Sequence, residues 1–206
     1  MPYHPLFVND DAGKYDVPAN EGEILPNKPG YTTIQEISEA EFIGFFRAQE
    51  YFIDTLDQKT RFNLKYLYAL HKKALDNVYS FAGKLRTVNM SKAGFSFPSA
   101  LFLPQAMHSF EQEILLPLNH SYKNKKDELV RDLAKMHAEL LFIHPFREGN
   151  GRTTRLLTAM IFLYHTRSYP DIDGLLNKRK EEYIAAVQAA ALQDYQKMYR
   201  LFCEGF

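Results

Sequence analysis

Positions 144 to 155 read His-Pro-Phe-Arg-Glu-Gly-Asn-Gly-Arg-Thr-Thr-Arg, which brings a base, a carboxylate, two glycines and the arginines 152 and 155 into one short run. Gly149 and Gly151 flank Asn150 and permit backbone conformations in which successive N–H groups face one concavity with no Cβ in the way. Such a nest holds an anion, and the positive end of a following helix strengthens the attraction. Arg152 and Arg155, three positions apart on a helix, leave the same face of its first turn and can clamp further phosphates through charge-assisted bonds. Glu148 offers a hard oxygen for Mg²⁺ at the rim of this cradle, and His144 is the nearby general base. Together these groups describe a polyphosphate cradle with a base beside it, and phosphoryl-type transfer needs in-line positioning and charge neutralisation more than covalent help. Each residue alone has a plainer role: the glycines can shape a turn, the arginines a solvated face, Glu148 a helix start and His144 a structural contact. The combination at fixed spacing is what points to a site.

The flanking sequence predicts how these groups are held. Val130, Leu133, Ala134, His137, Leu140 and Leu141 recur at intervals of three and four, the pattern of a helix over 126–143 with one buried face. Pro145 disfavours αR at the residue before it and lacks an N–H, so the chain leaves the helix at His144 and presents that side chain at a helix end. Asn150 is a candidate N-cap for a second helix, in which Leu156, Leu157, Met160, Ile161 and Tyr164 continue the period to 166. The expected unit is helix, turn, helix.

These residues resemble the core motif of the Fic proteins, H-x-F-x-[DE]-G-N-G-R-x-x-R, at every fixed position: His144, Phe146, Glu148, Gly149, Asn150, Gly151, Arg152 and Arg155. The resemblance implies an all-α fold, a compact helical bundle with a short β-hairpin flap beside the active site. It implies transfer of AMP from ATP to a Tyr, Ser or Thr hydroxyl of a target protein. His144 would deprotonate that hydroxyl, Glu148 would bind Mg²⁺, and Gly149 to Gly151 would hold the α- and β-phosphates. Arg152 would stabilise the transferring phosphates, Arg155 would reach the γ-phosphate, and Phe146 would anchor the loop. Doc-like relatives, which transfer the γ-phosphate, typically carry Lys in place of the second motif glycine; Gly151 favours nucleotidyl transfer. UMP or GMP transfer, and a non-catalytic module that keeps only the fold, are the remaining alternatives.

Two further stretches are similar to the family. Leu85, Thr87 and Val88 favour strand, Ala93-Gly94 offers a turn, and Phe95 and Phe97 alternate before Pro98, as in a hairpin. In the family this flap docks the target by strand addition, and the matching residues are Asn89, Ser91, Lys92 and Phe95. Lys92 reads equally as an edge charge, and Phe97 as a cover for the core. Near 179–188, Tyr183 is expected beside the adenine, or else packing its helix onto the core.

The remaining chain is consistent with an extended arm over 1–33, rich in proline, and one helical domain over 34–206. Helices are expected at 35–56, 60–74, 103–116, 126–143, 150–166, 178–191 and 193–202. With 25 basic and 25 acidic residues and no basic stripe, a nucleic-acid partner is disfavoured. No apolar run suggests a membrane span or leader, and the single Cys203 fits a reducing cytoplasm. His137 and His165 read as structural, and no ligand spacing suggests zinc. Many Fic relatives carry an inhibitory motif, [ST]-x-x-x-E-[GN], whose Glu pairs with the second motif arginine. Here Glu21, Glu148 and Glu204 precede glycine, but Val17, His144 and Arg200 stand four positions earlier. The expectation is inhibition by a separate small antitoxin that supplies the Glu to Arg155, with Glu204 as an alternative brake.

Overall fold

The computed structural model describes residues 24–92 and 95–206. Helix α1, Ile34–Asp54, starts at a reciprocal cap: Thr33 Oγ1 accepts from the Glu36 amide while the Glu36 carboxylate accepts from the Thr33 amide. Its buried stripe, Ile37, Glu41, Phe45, Ala48 and Phe52, follows helical spacing but includes a carboxylate. Helix α2, Leu64–Leu75, begins where Asn63 Oδ1 accepts from the Tyr66 amide, several residues later than periodicity alone suggests. It lies close against α1: a Cβ at Gly44 would meet the carbonyl of Ala74.

Two short antiparallel strands follow, β1 (Ser91–Lys92) and β2 (Phe95–Ser96), with Ser91 opposite Ser96 and Lys92 opposite Phe95. The expected turn at Ala93-Gly94 lies outside the described residues. Helix α3, Leu103–Phe110, is shorter than expected. It widens into a π turn at Glu111–Leu115 and tightens into a 3₁₀ turn at Leu116–Asn119, because Pro117 has no N–H to continue the α ladder.

Helices α4, Lys126–Ile143, and α5, Asn150–Thr166, have the bounds the sequence predicts. The expectation of a single buried face on α4 is corrected: Leu129, Met136 and Ala138 are also buried, because α4 packs on α3, α5, α7 and α8 at once. Three elements complete the chain. Helix α6, Ile172–Lys178, was not anticipated by periodicity; it begins after Pro170, where Asp171 Oδ1 accepts from the Gly174 amide. Helix α7 is Lys180–Ala189, and α8 is Gln196–Gly205, displaced from the expected start because Gln193 adopts a left-handed conformation that ends the preceding 3₁₀ turn. No helix among the described residues is long and apolar enough to cross a membrane.

Candidate active site

The turn between α4 and α5 is fixed from three sides. His144 sits in the left-handed region at φ 52°, the conformation left to it when Pro145 disfavours αR and its own amide still closes the helix on Leu140. Its Nδ1 lies 3.2 Å from the Leu141 carbonyl, an acceptor only, so the ring proton belongs on Nδ1 and the basic lone pair on Nε2. The Phe97 ring stacks on the imidazole at 3.8 Å between centroids and 15° between planes. Phe97 therefore covers the candidate base, where the sequence suggested a cover for the core.

Below the turn, Phe146 is buried and stacks on His71 of α2 at 3.8 Å. The His71 Nε2–H donates to the Glu148 carbonyl at 2.9 Å, and Nδ1 accepts from the Gly83 amide at 2.7 Å. Acceptance at Nδ1 requires the neutral ring, and burial lowers its pKa to about 4. His71 thus ties the turn to the segment leading into the strands.

Asn150 corrects the sequence reading. Its side chain does not cap the helix; Oδ1 accepts from the Phe146 amide at 2.8 Å and Nδ2 donates to the Phe146 carbonyl at 2.7 Å, closing the loop on itself. The cap position falls to Gly149, at φ 75°, where a Cβ would crowd Leu75 at 2.8 Å and Phe45 at 3.2 Å. Gly151 lies within the helix with no positive φ; a Cβ there would stand 3.3 Å from a terminal nitrogen of Arg155. Gly149 thus supplies conformation and Gly151 supplies space, over the first-turn amides of α5 that have no carbonyl one turn back.

The arginines separate. Arg152 donates to Glu41 Oε2 at 2.6 Å and to Glu148 Oε1 at 3.2 Å, with its guanidinium carbon 4.7 Å from the centre of the Phe45 ring. Glu41 Oε1 in turn accepts from the Tyr79 hydroxyl at 2.5 Å. Burial opposes the charge of Arg152, but Glu41 and Glu148 together raise its pKa. Arg155 is buried deeper in the site, and its charge adds to the burial that lowers the pKa of His137 to about 3. The Thr158 hydroxyl gives its proton to the Thr154 carbonyl, so the His137 Nδ1–H donates to Thr158 at 2.8 Å. The neutral ring then accepts at Nε2 from the Tyr183 hydroxyl, at 2.7 Å. Tyr183 is half-buried and its polar end is committed to this interior chain.

Arg86 joins the hairpin to the turn. Its amide donates to the Pro145 carbonyl at 2.9 Å, and its side chain donates to the carbonyls of His144 (2.7 Å), Val88 (2.7 Å) and Pro98 (2.5 Å). Asn89 Oδ1 accepts from the Ala100 amide at 2.9 Å, and Ser91 is buried. Of the expected flap residues, Asn89 anchors the hairpin base, and Lys92 and Phe95 pair opposite each other at its outer end.

Glu41, His71, Tyr79 and Arg86 also belong to the site, although no motif singles them out. The signal for the first two was present: a carboxylate and a histidine on otherwise apolar helical faces. Glu204, the alternative brake, pairs with Arg179 at 3.0 Å. Among the described residues one metal-compatible group occurs, His120, Glu128 and Asp132, which spacing had not indicated. Lys125 bonds Glu128 at 2.8 Å and Tyr122 bonds Asp132 at 2.6 Å, so both carboxylates are already engaged.

Residues 61–162 match the model of the Fic/DOC family. The chain belongs to the Fic/DOC family. It is 31% identical over 144 residues to the protein adenylyltransferase Fic of Drosophila grimshawi, covering 69% of this chain and 28% of that protein. It is 32% identical over 99 residues to the protein adenylyltransferase VbhT of Bartonella schoenbuchensis, covering 46% and 20%. The chain thus spans well under a third of the length of these curated relatives. The fold is that of the N-terminal FIC domain of Bep8 from Bartonella sp. 1-1C, with a TM-score of 0.71 at 18% identity over 91% of this chain and 92% of that one. It is also similar to BepC of Bartonella tribocorum with bound AMPPNP, with a TM-score of 0.64 at 18% identity over 86% and 90%. Glu41 lies outside the stretch that defines the family match.

Proposed function

We propose that this chain is a protein adenylyltransferase that moves AMP from ATP to a Tyr, Ser or Thr hydroxyl of a target protein. The observation that carries the reading is the relation of His144 to α5: a base with its proton on Nδ1 stands one tight turn from the helix start that cradles phosphate. His144 Nε2 takes the proton as the target oxygen bonds to the α-phosphorus. The bond from that phosphorus to the α–β bridging oxygen breaks, and pyrophosphate leaves. Gly149 and Gly151 leave the first-turn amides open to phosphate oxygens, Asn150 holds that loop closed, Arg152 meets the transferring phosphates and Arg155 the γ-phosphate. The names of the curated relatives and the AMPPNP bound to BepC support ATP as substrate.

Glu148 fits Mg²⁺, which takes one or two carboxylates and substrate phosphates and keeps several waters. Its side chain is largely buried, points toward the first turn of α5 and offers a hard oxygen. A bound Mg²⁺ would neutralise charge on the polyphosphate. Asn89, Ser91, Lys92 and Phe95 belong to the hairpin that would pair with the target backbone, and Tyr183 would line the adenine side with its ring while its hydroxyl stays bonded to His137. Control would come from a separate antitoxin that presents a carboxylate to Arg155, and the reaction would take place in the cytoplasm.

Incubation with Mg²⁺, a cell lysate and ATP labelled at either the α- or the γ-phosphate tests the reading. Protein labelling from the α-label alone, lost in His144→Ala, is expected. Labelling from the γ-label alone would establish a Doc-like kinase instead, and selective labelling from UTP or GTP another nucleotidyl transfer.

A further inference from the structure

We infer that Glu41, on α1 and outside the motif, is the positioning residue that holds Arg152 in its working place while the phosphates react. The inference rests on the adenylyl-transfer reading of the site. Glu41 is 3% exposed and divides its two oxygens: Oε2 receives Arg152 at 2.6 Å, and Oε1 receives the Tyr79 hydroxyl at 2.5 Å. A carboxylate held at both oxygens has little freedom to swing. Its helix has none to spare either, since Gly44, one turn further on, lies against the Ala74 backbone of α2. The Phe45 ring supports the guanidinium from α1 as well.

Arg152 has a second carboxylate, Glu148, but that residue is the one suited to Mg²⁺. A carboxylate that turns to a cation gives up part of its hold on an arginine. Glu41 has no such competing duty, so it is the contact that persists through turnover. Its fixed attachment also separates it from a brake, which must leave Arg152 for the reaction to proceed. The arrangement has a further electrostatic consequence: with Glu41 neutralised, Arg152 would be drawn wholly to Glu148, away from its present site and in competition with the cation.

The test compares wild type with Glu41→Gln, Glu41→Asp and Tyr79→Phe. Glu41→Gln keeps the shape but places an amide group against one of two donors. The expected result is a kcat for AMP transfer about 10 to 100 times lower, as for a misplacement of about 1 Å. KM for the target protein stays unchanged, and more Mg²⁺ is needed for half-maximal rate. Tyr79→Phe gives a smaller effect of the same kind, and Glu41→Asp, which retracts the charge, does not restore kcat. A role in stability alone would lower the melting temperature and leave kcat and the Mg²⁺ requirement of the folded fraction as they were; that outcome would overturn the inference. So would a rise in kcat, the mark of a brake. Arg152 side-chain NMR signals give a readout without turnover: restricted guanidinium rotation in wild type and averaging in Glu41→Gln are expected. If wild type transfers nothing from any nucleotide, the adenylyl reading falls and this signal decides alone. Free rotation in wild type, or unchanged restriction in the variant, would then refute the role of Glu41.

Discussion

Lowering the pH from 7.0 to 5.5 should weaken the fold by about 2 to 3 kcal/mol, and two buried histidines set the size and sign. His71 and His137 carry pKa values lowered from 6.5 to about 4 and about 3, in both cases first by burial. For His71 the Glu148 carboxylate partly offsets this and Arg152 adds to it; for His137 Arg155 adds to it. Each ring also accepts a hydrogen bond at one nitrogen, from the Gly83 amide or the Tyr183 hydroxyl, which protonation would break. Between the unfolded and folded pKa values the unfolded chain binds protons that the native state refuses, so stability falls as pH drops through 6.5 and stops falling near the folded values. At pH 5.5 each histidine lies one unit below its unfolded pKa, about 1.4 kcal/mol, less about 0.2 already lost at pH 7.0. Two such groups give the stated figure, and His165, whose pKa burial also lowers, acts in the same direction. Urea unfolding at the two pH values, with unchanged m, measures the loss. A stability flat to within about 0.5 kcal/mol would refute the neutral, buried account of these rings.

Gly44→Ala should destabilise the protein by about 1 to 3 kcal/mol in urea, although helix propensity alone would favour Ala by about 1, because the added methyl meets the Ala74 backbone. Equal or greater stability would show that α1 and α2 are less close. Arg86→Gln should cost about 2 to 4 kcal/mol by leaving carbonyls of His144, Val88 and Pro98 without their donor, and hydrogen exchange in β1 and β2 should quicken. Unchanged exchange there would mean that Arg86 does not hold the hairpin. Gly149→Ala should impair both folding and nucleotide binding through its positive φ and the crowding at Leu75, seen as a lower urea midpoint and weaker calorimetric binding of an ATP analogue.

The parts legible in the sequence are those set by local chemistry. The bounds of α4 and α5 follow from apolar spacing and from Pro145 and the glycines around Asn150, all within reach of one another along the chain. Asn150 shows the limit of that reasoning: an Asn at a helix start suggests a cap, yet its amide is drawn to Phe146 because the tight turn presents both the N–H and the C=O of that residue. Tertiary partners were out of reach. Arg152 meets Glu41 across 111 positions and His71 meets Glu148 across 77, and no periodicity encodes such pairs. A carboxylate at a core position of α1 announces that a partner exists without saying which. Likewise Phe97 alternates as a strand residue should, but only the folded chain brings its ring over His144.

The most direct measurement is a crystal structure of the protein with Mg²⁺ and a non-hydrolysable ATP analogue. The α-phosphate is expected at the first turn of α5 facing His144 Nε2, with the γ-phosphate toward Arg155 and the metal on Glu148. A reversed nucleotide, with the γ-phosphate beside His144, would contradict this expectation.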